Sequence, residues 1–267
     1  MRRSVLLFLS CFIFFQLPAQ TSLSGIINQY TSVSAYDSCL SVLTVADASS
    51  FTTGDQVLII QMQGATINES DASSFGSITD LGSAGLFERA LIAEVTNNEI
   101  FLENRLVNLY NYSGGVQLVS FPRYDNATID GEITGQAWDG NTGGVIALQV
   151  NGQLTMNANI NANGLGFRGG QVNILNSNCQ WFLNEDNYFY SSTNWRGAAK
   201  GEGIAPIIPG KEAGRGAQAN GGGGGNDHNS GGGGGSNVSI GGLGGEQTPT
   251  STFQCQGEFP GRGGRAL

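Results

Sequence analysis

Asp125, Asp130, Glu132 and Asp139 fall within fifteen positions, with Asn126 and Asn141 among them. Carboxylates this close suggest two chemistries. A pair facing across a groove can cleave glycosidic bonds, one as acid and the other as base or nucleophile. A ring of oxygens can hold calcium. Asp125, Asp130 and Asp139 are the residues either chemistry would use. No Asp-x-Asp-x-Asp loop and no Gly-Gly-x-Gly-x-Asp repeat frames them, so solvated loops are the reading adopted here. Calcium is the only cofactor these residues suggest.

Trp181, Tyr188, Tyr190 and Trp195 share one polar, aromatic stretch, with Trp138 upstream. Ring faces stack on sugar faces, so an exposed loop of this composition suits carbohydrate binding. The same rings would also serve as a small buried core. His228, the single histidine, sits between two glycine blocks. A general base needs a partner and a shaped site, and its neighbours suggest neither. Cys39, Cys179 and Cys255 follow the leader region. Three is an odd number, so a Cys39–Cys179 disulfide would leave one thiol over. No CxxC pair and no Cys/His cluster suggests zinc.

The elements that must position these side chains begin after a leader. Arg2 and Arg3 precede an apolar run from Val5 to Phe15, and Leu17, Pro18 and Ala19 then break it. This is the pattern of a cleavable signal peptide over 1–19, too short for a membrane span. The expected mature chain starts at Gln20, is secreted or surface-bound, and has no stable membrane span. From 20 to 195 there are 16 Asp/Glu against 4 Lys/Arg, a balance of −12; from 196 to 267 the counts are 5 and 6. Acidity of that order argues against nucleic acid as a partner.

Residues 20–122 read as short strands between turn residues: Cys39–Val45, Gln56–Met62, Ala90–Val95, Glu99–Leu102 and Val116–Phe121. Phe51–Asp55 and Asn97-Asn98 supply the turns. The absence of a sustained 3.6-residue period excludes long helices. The expectation is all-β: a small antiparallel barrel or sandwich. Over 123–196 the texture changes. Gly143–Val150 and Leu154–Asn163 flank an Asn-Gly turn, and Asn157, Asn159, Asn161 and Asn163 alternate with apolar residues. Stacked Asn side chains suit a β-solenoid, favoured here over a plain hairpin. Residues 197–267 hold 24 Gly in 71 positions. Such a stretch is either a flexible linker or a packing of extended threefold helices bonded through their backbones. The pattern stops in mid-repeat, so it is expected to continue past Leu267.

Thr52–Ala65, Gly143–Leu148, Asn163–Gly170 and Ala219–Gly235 resemble the N-terminal part of large secreted glycine-rich surface proteins of Bacteroidetes type. Those proteins are associated with gliding motility and type IX secretion. The glycine blocks also resemble the glycine-rich extracellular domain of anaplastic lymphoma kinase receptors, without any kinase motif. The resemblance implies a surface protein used for structure or adhesion, without catalytic activity, whose partners are surface glycans or other surface proteins. Two alternatives stand beside it: a carbohydrate-active β-helix enzyme using the Asp carboxylates, and a receptor-like ligand-binding ectodomain.

Overall fold

The structure is a computed structural model that describes residues 20–174, 187–226, 230–245 and 259–267. It is nearly all β. The strands are β1 (Gln20–Ile26), β2 (Tyr30–Asp37), β3 (Val42–Val45), β4 (Gln56–Gln61), β5 (Thr66–Ile67), β6 (Ile78–Asp80), β7 (Phe87–Thr96), β8 (Glu99–Leu102), β9 (Val116–Ser120), β10 (Arg123–Tyr124), β11 (Asn126–Thr134), β12 (Gln149–Val150) and β13 (Leu154–Met156).

Six of these strands close an antiparallel barrel in the order β2-β3-β8-β7-β4-β9. Its interior holds Val33, Leu43, Val45, Phe51, Val57, Ile59, Ile92, Ile100, Leu102 and Leu118. Closure removes the free edges that a six-stranded open sheet would leave. The turns follow local chemistry. Asn97 takes φ 53° between β7 and β8, a left-handed conformation that Asn tolerates. Asp55 closes the turn before β4 by accepting from the Thr52 backbone N–H at 2.7 Å. Strand β3 starts later than expected, because Cys39–Ser41 form the preceding turn and Ser41 has φ 58°.

The second architecture is parallel. β1, β11 and β13 form one ladder, and β10 and β12 form another. Arg123 pairs with Gln149, 26 positions on, while Ala127 pairs with Leu154, 27 positions on. A parallel bridge joins Ile133 to Ile160 at the same interval. Coils of near-constant length stacked in parallel form the expected solenoid, but the 154–163 run is strand only over Leu154–Met156, and its apolar residues Leu154, Met156 and Ile160 are exposed rather than inward. Its core collects Leu23, Ala127, Ile129 and Ile133.

Two expectations need correction. The unit expected over 20–122 does not start the barrel, because β1 belongs to the parallel ladder. Leu23 pairs with Ile129, 106 positions away, so the whole barrel is inserted between consecutive strands of the solenoid. Residues 125–139 are not all loop. Asp130 and Glu132 lie on the nine-residue strand β11, where Ala127, Ile129 and Ile133 are buried and the acids face outward. The carboxylates obscured a strand whose other face is apolar.

Among its described residues, the glycine-rich stretch forms no helix and no named strand, yet backbone hydrogen bonds join its segments. Gly231 donates to Gly245 and Gly234 to Gly242; Gly241 donates to Gly264 and Gly244 to Gly261; Gly261 donates to Gly231 and Gly264 to Gly234. The donor advances by three residues in each pair. That is the period of an extended threefold helix, which has no internal hydrogen bonds and must bond to its neighbours. A Cβ at Gly222, Gly224, Gly233 or Gly263 would collide with a backbone carbonyl of the adjoining segment. Glycine is required there by close approach.

Candidate functional site

The sequence-derived aromatic group divides. Tyr188 and Tyr190 are buried, at 6% and 7% exposure, while Trp195 is 41% exposed. The Arg196 guanidinium lies 4.9 Å from the Trp195 ring centre. Trp181 falls outside the described residues. Tyr188 joins Phe75, Ala65 and Ala219 in a core between the β4–β7 excursion and the glycine bundle. Its backbone N–H donates to Asp71 at 2.6 Å, and Arg262 donates to its hydroxyl at 3.1 Å. Tyr188 therefore joins two parts of the molecule, and Trp195 alone of the described pair-and-Trp set offers a substantial surface. Trp138 is buried and meets Phe167 edge-on at 5.8 Å.

Lys200 lies at the same junction and was not flagged by sequence. It is 4% exposed. Its Nζ donates to the carbonyls of Tyr188, Gly214 and Gly216 at 2.7, 3.0 and 2.6 Å, and sits 4.7 Å from the Phe75 ring centre. Three acceptors match the three N–H bonds of an ammonium. Burial nevertheless pulls its pKa down to about 7, with the Asp71 charge opposing.

Asp130 and Asp139 sit in different hydrogen-bond systems. Asp130 accepts from Ser22 Oγ at 2.6 Å and from Asn157 Nδ2 at 3.0 Å, a polar row that crosses the parallel ladder. Asp139 caps its own turn by accepting from the Asn141 and Thr142 backbone N–H groups at 2.7 and 2.8 Å. Hydrogen bonds from Ser22 and Asn157 hold the Asp130 carboxyl below its ordinary value. Those from the Thr142 backbone do the same, foremost, for Asp139. A general acid needs the opposite shift. Among the described residues, no three His, Cys, Asp or Glu side chains come together as a metal-binding group. Cys39 is exposed in the β2–β3 turn. Cys179 and His228 lie outside the described residues.

Asp125 differs, because it borders a groove where the barrel meets the solenoid. One cavity of about 600 Å³ is lined by Gln56, Phe121, Arg123, Asp125 and Asn151, among others. A second, of about 550 Å³, is lined by Gln56, Glu88, Arg89, Arg105, Arg123 and Gln149, among others. Gln56, Leu91 and Arg123 belong to both, so the two cavities adjoin. The walls are fixed by the fold: β4 and β7 from the barrel, β10 and β12 from the parallel ladder. The Asn28 side chain fastens them, donating to the carbonyls of Ser120 and Ala147 at 2.8 and 2.6 Å. Gln117 adds a reciprocal pair with the Gly143 backbone at 2.9 and 2.8 Å. The sequence flagged Asp125 only as a possible metal-binding or catalytic carboxylate and not the groove's arginines, whose scarcity in an acidic stretch was the available signal.

No family model matches the chain, and no curated protein matches it. Two phage tailspikes of known structure share partial similarity. The gp54 tailspike of Acinetobacter baumannii bacteriophage AP22, solved with A. baumannii capsular saccharide, aligns over 51% of this chain and 22% of its own length, at 16% identity and TM-score 0.28. The tailspike gp49 from Pseudomonas phage LKA1 aligns over 43% and 20%, at 12% identity and TM-score 0.24. The chain thus spans less than a quarter of either. Similarities of this size carry no argument about function.

Proposed function

We propose that this chain is a secreted or cell-surface protein of structural and adhesive function, working without catalysis, with surface glycans or surface proteins as partners. The observation that carries this reading is the glycine bundle. It is held by backbone hydrogen bonds whose donors recur at a three-residue interval, and it packs against the β4–β7 excursion through Tyr188 and through Lys200 over the Phe75 ring. Packing held by backbone hydrogen bonds without a large apolar core suits an extended surface element, where length and wetting would defeat a conventional core. The expected leader over 1–19 and the acidic balance of 20–195 agree with export.

Fractionation of cells producing the tagged full chain tests the location, and attachment of the purified mature chain to cell surfaces tests the adhesion. Surface or medium recovery with saturable attachment is the expected result. Recovery in the cytoplasm, or no attachment to any surface tried, would sink the proposal.

A further inference from the structure

The acidic stretch 20–195 contains four basic side chains: Arg89, Arg105, Arg123 and Arg168. Arg168 is paired with Glu202. The other three all line the second cavity of the groove between barrel and solenoid. Arg89 comes from β7, Arg105 from the segment after β8, and Arg123 from β10, so only the tertiary structure gathers them. A chance surface scatter would not place every unpaired cation of an acidic region in one hollow.

Their state suits an incoming anion. Arg89 is held in place: its guanidinium donates to Gln149 at 3.2 Å and lies 5.7 Å from the Phe121 ring centre. Arg105 and Arg123 are exposed and make no side-chain hydrogen bond or ion pair with any described residue. The nearby Glu88 does not neutralise them by contact, because its carboxylate accepts from the backbone N–H groups of Val107 and Asn108 at 2.9 and 3.1 Å. Asn104 and Gln149 share the cavity, while Asp125 and Asn151 border the adjoining one. Gln56, common to both, has a buried amide oxygen with no partner among the described residues.

We infer that this groove binds an acidic oligosaccharide, with Arg105 and Arg123 holding sugar carboxylates while the amides and Asp125 take hydroxyls. Guanidinium forks match carboxylates in two-point fashion. Amide and carboxylate side chains both bond hydroxyls, and a cavity of this size admits one or two sugar residues. Nucleic acid is the weaker fit, because its dense phosphates would meet the acidic surface around the groove. The inference deepens the adhesive half of the proposed function by naming a ligand class.

The test titrates the mature chain with oligogalacturonate and with neutral malto-oligosaccharide of equal length. Oligogalacturonate should bind and weaken with salt, and the neutral oligomer should not bind. Arg105→Gln and Arg123→Gln should each lower affinity about tenfold, the size expected for losing one charge-assisted contact. Arg168→Gln should leave it unchanged. Arg105 and Arg123 are exposed, so the thermal midpoints of both groove variants should hold. Equal binding of the neutral oligomer, no binding of oligogalacturonate, unchanged affinity in both groove variants, or equal competition by single-stranded DNA would each overturn the inference. If cells are still bound at full strength by the double variant, this inference falls and the adhesive reading stands. If oligogalacturonate binds but no cell surface does, the reverse holds.

Discussion

The barrel and the glycine bundle solve one problem by opposite means. The barrel hides large apolar side chains, with Leu43, Val57, Ile59, Ile92, Ile100 and Leu118 at zero exposure, and its backbone pairs around a closed ring. The bundle has almost no side chains to hide and brings backbones close enough to bond in several directions. In the first, stability comes from apolar area removed from water. In the second it comes from backbone hydrogen bonds that, at Gly222, Gly224, Gly233 and Gly263, leave no room for a Cβ. The comparison teaches that removing atoms should harm the barrel, whereas adding them should harm the bundle.

That contrast can be broken by substitution. The largest loss is expected from Ile59→Ala, about 4 kcal/mol from lost burial and the cavity left behind, measured by denaturant unfolding. Gly233→Ala adds one carbon that meets the Arg262 carbonyl and should cost about 3 kcal/mol through overpacking. Gly242→Ala, with open space around the new carbon, should be neutral or slightly stabilising. If Gly233→Ala were as harmless as Gly242→Ala in hydrogen exchange and melting, the close-packed account of the bundle would fail.

Lys200 sharpens the comparison, since it lies where the two packing modes meet. Its pKa is lowered from 10.5 to about 7 in the folded protein. Between those values the unfolded chain holds the extra proton, so stability rises as pH rises from about 7 toward 10. The slope attributable to this group is at most about 1.4 kcal/mol per pH unit. Below about pH 7 both states are protonated and the contribution is flat. Unfolding midpoints at several pH values should show the slope in the native chain and lose it in Lys200→Met. A slope that persists in the variant would assign it to other groups.

The smallest effect is expected at Asp130. Its carboxyl is solvent-exposed, and its folded pKa is depressed by hydrogen bonds from Ser22 and Asn157. Its modest contribution is therefore present above the ordinary Asp value and is lost as pH falls through the lowered one. Asp130→Asn should leave the fold intact and flatten that acid limb slightly, as read by melting between pH 5 and 2.

The legibility of the fold varied with the locality of the signal. Strands β4, β8 and β9 carried their alternation and turn residues within a few positions, and the Asn97 turn was visible from residue type. Strand β11 was not, because Asp130 and Glu132 occupy outward positions and Gly131 interrupts the inward apolar series of Ala127, Ile129 and Ile133. The glycine stretch left ordered packing and a flexible linker equally open. Backbone bonding between segments leaves no side-chain pattern to read. At the groove, Asp125 was visible as a candidate and the three arginines were not, since no two of them are neighbours in sequence.

By itself the sequence determined the all-β class and pointed to a small barrel or sandwich and to a solenoid after Gly143, because each depends on side-chain volume or alternation over short spans. Only the tertiary structure decided that the barrel interrupts the solenoid after β1, that Tyr188 and Lys200 lie buried between the β4–β7 excursion and the bundle, and that Arg89, Arg105 and Arg123 share one hollow. These depend on pairings such as Leu23 with Ile129, across 106 positions. Their selection comes from summed burial and backbone satisfaction over the whole chain, which no local window contains.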